Sequence, residues 1–241
     1  MNLNFFFLKH CEDNQYEINQ NQFDIINNLQ NYYKGNFNQN LFSKIFKKNK
    51  FKLGFYLVGD VGVGKTMILN FFFDQLKEKK MRLHFNEFMI KFHDFIFDNK
   101  SKNNAMDLFV KDLRKKVQLI YFDEFQVTNI VDAMILGKLF KKIFEEKIKV
   151  VFSSNIKIKD LYSDGLQRDQ FIPFIKILKN NSLEKELLIE EDYRSNNNDL
   201  DRFLYPIDQS TNFKFNKFFR KITKNKNKIT NICDFYIILR S

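Results

Sequence analysis

Apolar positions change their period along this chain, and the changes mark out an alternation of helices and strands. Over residues 16–33, Tyr16, Ile18, Phe23, Ile26, Leu29 and Tyr33 recur mostly every three to four positions, which predicts amphipathic helices. A polar stretch follows, with a short helix candidate at 41–47 and then a basic run. Residues 55–58 form a brief unbroken apolar segment suited to a strand buried on both faces. Beyond it, 67–77 reads as a crossover helix, 82–85 as a second strand, 87–97 as a helix, 98–104 as a polar loop and 105–115 as a helix with charged outer positions. A third strand over 117–122 runs into Asp123-Glu124. The longest helix, 130–146, carries Ile130, Met134, Ile135, Leu139 and Ile143 on one stripe, and 149–155 returns as a fourth strand. One or two short helical pieces fill 166–179, interrupted or started near Pro173, before a fifth strand at 183–190. Strands alternating with helices predict an α/β fold: a parallel five-stranded sheet with helices on both faces and ligands at the carboxyl ends of its strands.

Composition narrows the class. A chain of 241 residues with 44% hydrophobic content can bury a sizeable core as one α/β domain. The formal net charge of +11 suggests a polyanionic partner, yet Asn, Lys, Ile and Phe are heavily used while there are only 7 Gly, 2 Pro and no Trp. Such a bias is that of an AT-rich coding sequence, which raises Lys everywhere, so the charge alone argues little for nucleic acid or an anionic surface. Cys11 and Cys233 lie near opposite ends without metal-ligand spacing, and His10, His84 and His93 add none, so a reducing, metal-free interior is expected. The apolar run 3–8 lacks the basic region and cleavage-like site of a secretory leader. No segment reaches the roughly 18 apolar residues of a membrane span, and a cytoplasmic protein without a transmembrane segment is expected.

The candidate chemistry begins at Gly59-Asp60-Val61-Gly62-Val63-Gly64-Lys65-Thr66, which fits G-x-x-x-x-G-K-[ST] between a strand-like run and a helix-like run starting at Met67. Its glycines let the backbone curl so that N–H groups point at phosphate oxygens, and the helix starting near Lys65 adds its positive dipole end. Lys65 would contact the β- and γ-phosphates of ATP, and Thr66 would place its hydroxyl on Mg²⁺. Asp123 can hold the Mg²⁺ through its water shell, and Glu124 can orient or deprotonate the water that attacks the γ-phosphate. On a strand end alone, such a pair would favour the reading of ordinary polar punctuation; its place 58 positions after Lys65 of a phosphate loop favours function. Asn155, closing the fourth strand, can reach the γ-phosphate or that water. Arg168 is placed to enter a neighbouring subunit's site as an arginine finger, with Arg194 as the competing candidate.

Several stretches together resemble the AFG1/ZapE family of P-loop ATPases. They are 59–67, Leu83-His84-Phe85-Asn86-Glu87-Phe88-Met89, Phe122-Asp123-Glu124-Phe125-Gln126-Val127-Thr128, Asp132-Ala133-Met134-Ile135-Leu136, Ser154-Asn155, Leu161-Tyr162 with Gly165-Leu166-Gln167-Arg168, and Asp192-Tyr193-Arg194. The resemblance spans about residues 16–206. It departs from the family pattern at Asn86, where a histidine is common, and at Asn129, where an aspartate usually stands. It implies an AAA+-like P-loop NTPase with ATP and Mg²⁺ as ligands, in which Lys65, Thr66, Asp123, Glu124 and Asn155 keep the family's roles. It also implies a nucleotide-dependent homo-oligomer acting on a protein partner. In bacterial members that partner is linked to cell division through the tubulin-like Z-ring protein, and mitochondrial members serve protein quality control. Three regions are expected: an N-terminal helical extension packed on the core (1–50), the ATPase core (51–194) and a short, Lys-rich C-terminal segment (195–241) where family members continue further. Two other readings stay open. One is a nucleic-acid-associated ATPase of the helicase-loader kind, which the positive charge suits but no base-stacking module supports. The other is a nucleotide-binding adaptor with little turnover.

Overall fold

The computed structural model describes residues 2–16, 18–37, 51–127, 130–163, 165 and 168–188. Outside them fall the helix candidate 41–47, the departure at Asn129, Arg194 and the Lys-rich segment 195–241.

Five strands make one sheet: β1 (Gly54–Gly59), β2 (Lys80–His84), β3 (Leu119–Asp123), β4 (Lys149–Ser154) and β5 (Ser182–Leu187). All pairings are parallel and the spatial order is β2-β3-β4-β1-β5. Burial explains why the central strands are the apolar ones. Every residue of β1 and β3 is buried, and β4 is buried from its second residue on, whereas β2 and β5 keep exposed or half-buried positions and lie at the edges.

Alternate residues of each strand feed opposite layers. Phe55 and Leu57 of β1, with Tyr121 of β3 and Val151 of β4, meet helices α1 (Leu3–Asp13), α2 (Gln20–Phe37) and α3 (Lys65–Gln75). Tyr56 and Val58, with Phe122 and Phe152, meet α4 (Phe85–Asp98), α5 (Ala105–Lys116), α6 (Ile130–Glu145) and α7 (Ile172–Asn181). Helices therefore cover both faces, as the alternation of elements predicted.

Local signals place most boundaries. Asn2 caps α1 by accepting from the Phe5 N–H, and the Asn19 carboxamide accepts from the Asn21 N–H at the start of α2. The cluster Arg114, Lys115 and Lys116 ends α5, where the helix dipole favours cations. Pro173 sits in the first turn of α7, where its missing N–H is harmless. Some expectations shift. Tyr16 and Ile18 precede α2 and are exposed, while the apolar run 3–8 forms α1, whose Leu3, Phe7 and Cys11 enter the core one helical turn apart. The second strand ends at His84 because Phe85 turns inward as the first residue of α4, against Phe122 and Phe125. The fifth strand starts at Ser182, one residue early, and is assigned as far as Leu187.

Among the described residues, no helix is long and apolar enough to cross a membrane.

Candidate functional site

The order β2-β3-β4-β1 puts the carboxyl ends of β3, β4 and β1 side by side. Val58 is opposite Ser154 in the β1–β4 register, so Asn155 follows beside Gly59, and Phe122 opposite Phe152 brings Asp123 alongside Ser153. Three polar tips that lie far apart in sequence thus share one rim.

At the end of β1 the chain cannot continue straight, because α3 begins only six residues after Gly59. Gly62 and Gly64 make the turn with φ of 93° and 91°, a region that costs any residue with a Cβ roughly 1–2 kcal/mol. Gly64 is doubly constrained, since a Cβ there would lie 2.7 Å from the Gln22 side-chain nitrogen. Gly59 is held by proximity instead: a Cβ would stand 2.5 Å from the Leu187 carbonyl of β5. Inside the loop Lys65 is only 7% exposed, and its ammonium donates to the Gly59 carbonyl (2.7 Å) and the Asp60 carbonyl (2.6 Å). Val63 is buried and Met67 half-buried, whereas Asp60, Val61 and Thr66 face solvent, Thr66 in the first turn of α3. That turn leaves backbone N–H groups without intrahelical partners, beside a buried cation and an exposed hydroxyl.

The end of β3 is built differently. Tyr121 and Asp123 share the sheet face that packs on α3, so the Asp123 carboxylate lies on the same side as Lys65 and Thr66. Its side chain is 7% exposed; Arg82 of β2 donates to Oδ2 at 2.5 Å and the Tyr121 hydroxyl to Oδ1 at 3.1 Å. Burial above all, with the adjacent Asp123 charge, pushes the Tyr121 hydroxyl far above its usual range, so it stays a donor. Glu124 breaks the strand with φ of 52°, a left-handed conformation held from both sides. Phe125 is buried against Phe85 and Phe152 (ring centroids 4.6 and 4.8 Å), its N–H donates to the Ser153 carbonyl, and its carbonyl accepts from the Ser154 hydroxyl. The turn swings Glu124 out to 82% exposure, with His84 Nδ1 3.9 Å from its carboxylate. Asn155 is also exposed, and Tyr56 reaches from the sheet to hydrogen-bond the Ile156 carbonyl just beyond it at 2.7 Å.

The structure therefore brings Lys65, Thr66, Asp123, Glu124 and Asn155 to one rim. Arg168 lies in a short 3₁₀ turn (Arg168–Gln170), half-buried, with its guanidinium donating to the Lys159 carbonyl at 2.8 Å. Sequence reasoning missed Gln22, Arg82, Tyr121 and Ser154. Gln22 left a readable sign: it continues the stripe of Ile25, Ile26 and Leu29, and a polar residue on an apolar stripe needs a buried partner, here the Val63 carbonyl at 3.1 Å. Arg82 left none, because its partner lies 41 residues away.

The donor set suits a polyphosphate with a hard divalent cation. A glycine turn at a helix start and a buried ammonium match phosphate oxygens, while a hydroxyl and a buried carboxylate on one sheet face are oxygen ligands of the kind Mg²⁺ takes. The chain is similar to several known proteins. A crystal structure of DnaI superposes with a TM-score of 0.49 at 17% identity, over 72% of this chain and 85% of that one. Cell division protein ZapE of Escherichia coli K12 is 38% identical over 127 residues, which are 52% of this chain and 34% of ZapE. Lactation elevated protein 1 homolog B of Danio rerio is 39% identical over 138 residues, covering 52% of this chain and 27% of its own. The matched region thus spans about a quarter to a third of the length of these two curated relatives. The model of the AFG1-like ATPase family matches residues 7–235, nearly the whole chain, and the chain belongs to that family.

Proposed function

We propose that this chain is a Mg²⁺-dependent ATPase that hydrolyses ATP to ADP and phosphate and uses the cycle to remodel a protein partner. The observation that carries the reading is the strand order, which sets the loop 59–66, Asn155 and the Asp123-Glu124 pair on adjacent strand ends, with Asp123 on the face where α3 begins.

In this reading the backbone of 59–67 cradles the phosphates. Lys65 exchanges its two loop carbonyls for β- and γ-phosphate oxygens, a swap of neutral acceptors for charged ones that favours the bound state. Thr66 Oγ1 and Asp123 would hold Mg²⁺, which would supply positive charge to offset that of the phosphates. Glu124, turned out of the strand, takes the proton of the attacking water, and Asn155 orients that water or the γ-phosphate. Arg168 acts on an adjacent subunit's nucleotide once it leaves the Lys159 carbonyl. A nucleotide-dependent homo-oligomer and a role in cell division, with a tubulin-like Z-ring protein as partner, complete the proposal; the likeness to ZapE supports the division role.

The test is direct. Purified protein should release phosphate from Mg·ATP, and saturating Mg·ATP should raise its melting temperature, since a ligand at 100 times its Kd stabilises by about 2.7 kcal/mol. An unshifted melt with no phosphate release would overturn the reading. For Arg168, a mixture of Arg168→Ala and Lys65→Ala subunits should regain hydrolysis that neither has alone. No recovery in demonstrably mixed oligomers removes the trans role.

A further inference from the structure

We propose that Arg82 is a positioning residue that clamps Asp123 and makes divalent-cation binding conditional on nucleotide; this rests on the reading of Asp123 as the metal-holding carboxylate. Both oxygens of that carboxylate are engaged, Oδ2 by Arg82 Nη2 at 2.5 Å and Oδ1 by the Tyr121 hydroxyl at 3.1 Å. The clamp is built into the sheet. Arg82 is in register with Tyr121, and His84 with Asp123, so β2 delivers the guanidinium two residues before the carboxylate it neutralises. The guanidinium also lies over the Tyr121 ring, 5.3 Å from its centroid, which fixes its approach from a second side.

The two partners are unequal. Asp123 is 7% exposed and would be left as a buried, unpaired charge if Arg82 departed, whereas Arg82 is 40% exposed and can be rehydrated where it stands. Until something else neutralises the carboxylate, the pair stays closed. A free divalent cation is a poor candidate, because it would have to approach Asp123 beside the positive charges of Arg82 and Lys65. A triphosphate on the loop 59–66 reverses that balance, since it adds several negative charges and draws Lys65 to itself. The cation then meets Asp123 as part of Mg·ATP, and Arg82 yields one carboxylate lone pair or swings into solvent. The site would thereby reject the bare ion yet keep Asp123 oriented for the nucleotide-bound one.

Mn²⁺ is the probe, followed by electron paramagnetic resonance on the full chain without nucleotide. Wild type should bind Mn²⁺ weakly. Arg82→Ala and Arg82→Gln should each bind it about tenfold more tightly, a modest figure because the arginine is partly solvated. Arg82→Lys should restore the weak wild-type value, and Arg82→Ala combined with Asp123→Asn should lose the gain. Using two neutral variants guards against one that misfolds, and a merely structural role for Arg82 would not tighten Mn²⁺ in either. The proposal is overturned by folded neutral variants that bind Mn²⁺ no better than wild type, or by a gain that survives Asp123→Asn. A fluorescent ATP analogue, titrated in parallel, separates the two readings. Analogue binding with unchanged Mn²⁺ affinity sinks the clamp alone. Mn²⁺ gain through Asp123 without analogue binding sinks the nucleotide reading and leaves only the charge clamp between Arg82 and the bare ion.

Discussion

The ends of β1 and β3 both hold a buried charge, and they accommodate it in opposite ways. At β1 the charge is Lys65, accommodated by carbonyls five and six residues back in its own loop. At β3 the charge is Asp123, accommodated by Arg82 from another strand and by Tyr121 two residues earlier. The first arrangement is local and follows from glycine turn chemistry. The second exists only because β2 pairs with β3. Glu124, next to Asp123, sharpens the contrast: its exposure and left-handed backbone are imposed by Phe125, which is anchored in the core layer on the opposite face. A compact loop can thus position its own cation, whereas a strand end needs the whole sheet to position an anion.

Lys65→Ala should have the largest effect, eliminating measurable ATP binding at millimolar nucleotide by calorimetry, because the loop loses its only side-chain cation. Affinity like that of wild type would mean the β1 end is not the grip. Glu124→Gln should lower turnover by about 10²- to 10⁴-fold while leaving ATP affinity near wild type, since general-base assistance acts in the transition state. An equal loss in affinity would place Glu124 in binding instead. Gln22→Ala leaves the buried Val63 carbonyl without that donor and should cost about 1–3 kcal/mol, read as a lower urea midpoint. No shift would show that α2 does not brace the loop. The smallest effect on stability is expected from Glu124→Gly, in which relief of the left-handed backbone outweighs the extra freedom of glycine in the unfolded chain. Stability should rise by about 0.5–1 kcal/mol while turnover falls as in Glu124→Gln. A loss of stability would show that the Glu124 side chain itself, by its approach to His84 or otherwise, holds the turn.

How much was legible depended on sequence distance. The elements over 67–77, 105–115, 130–146 and 149–155 fall close to the observed helices and strand, because periodicity reports a buried face directly. The edge strands were less sharply bounded: β2 shows weak alternation, and β5 starts at Ser182, whose burial comes from packing at Gly54 rather than from an apolar side chain. The loop 59–66 and the carboxylate pair stood out because each is contiguous. Gln22 could have been found from its place on an apolar stripe.

By itself, the sequence determined the glycine-bounded loop, the alternation of helix and strand, and which residues could carry charge at strand ends. These depend on φ preferences, side-chain volume and spacing within a few residues. Only the tertiary structure decided that β4 lies between β3 and β1, that α1 to α3 share one face, and that Arg82 meets Asp123. Strand order and cross-strand ion pairs join residues tens of positions apart, and no local propensity encodes them. They are selected by which packing buries Phe55 and Tyr56 on opposite faces of one sheet while pairing the buried Asp123 carboxylate with Arg82.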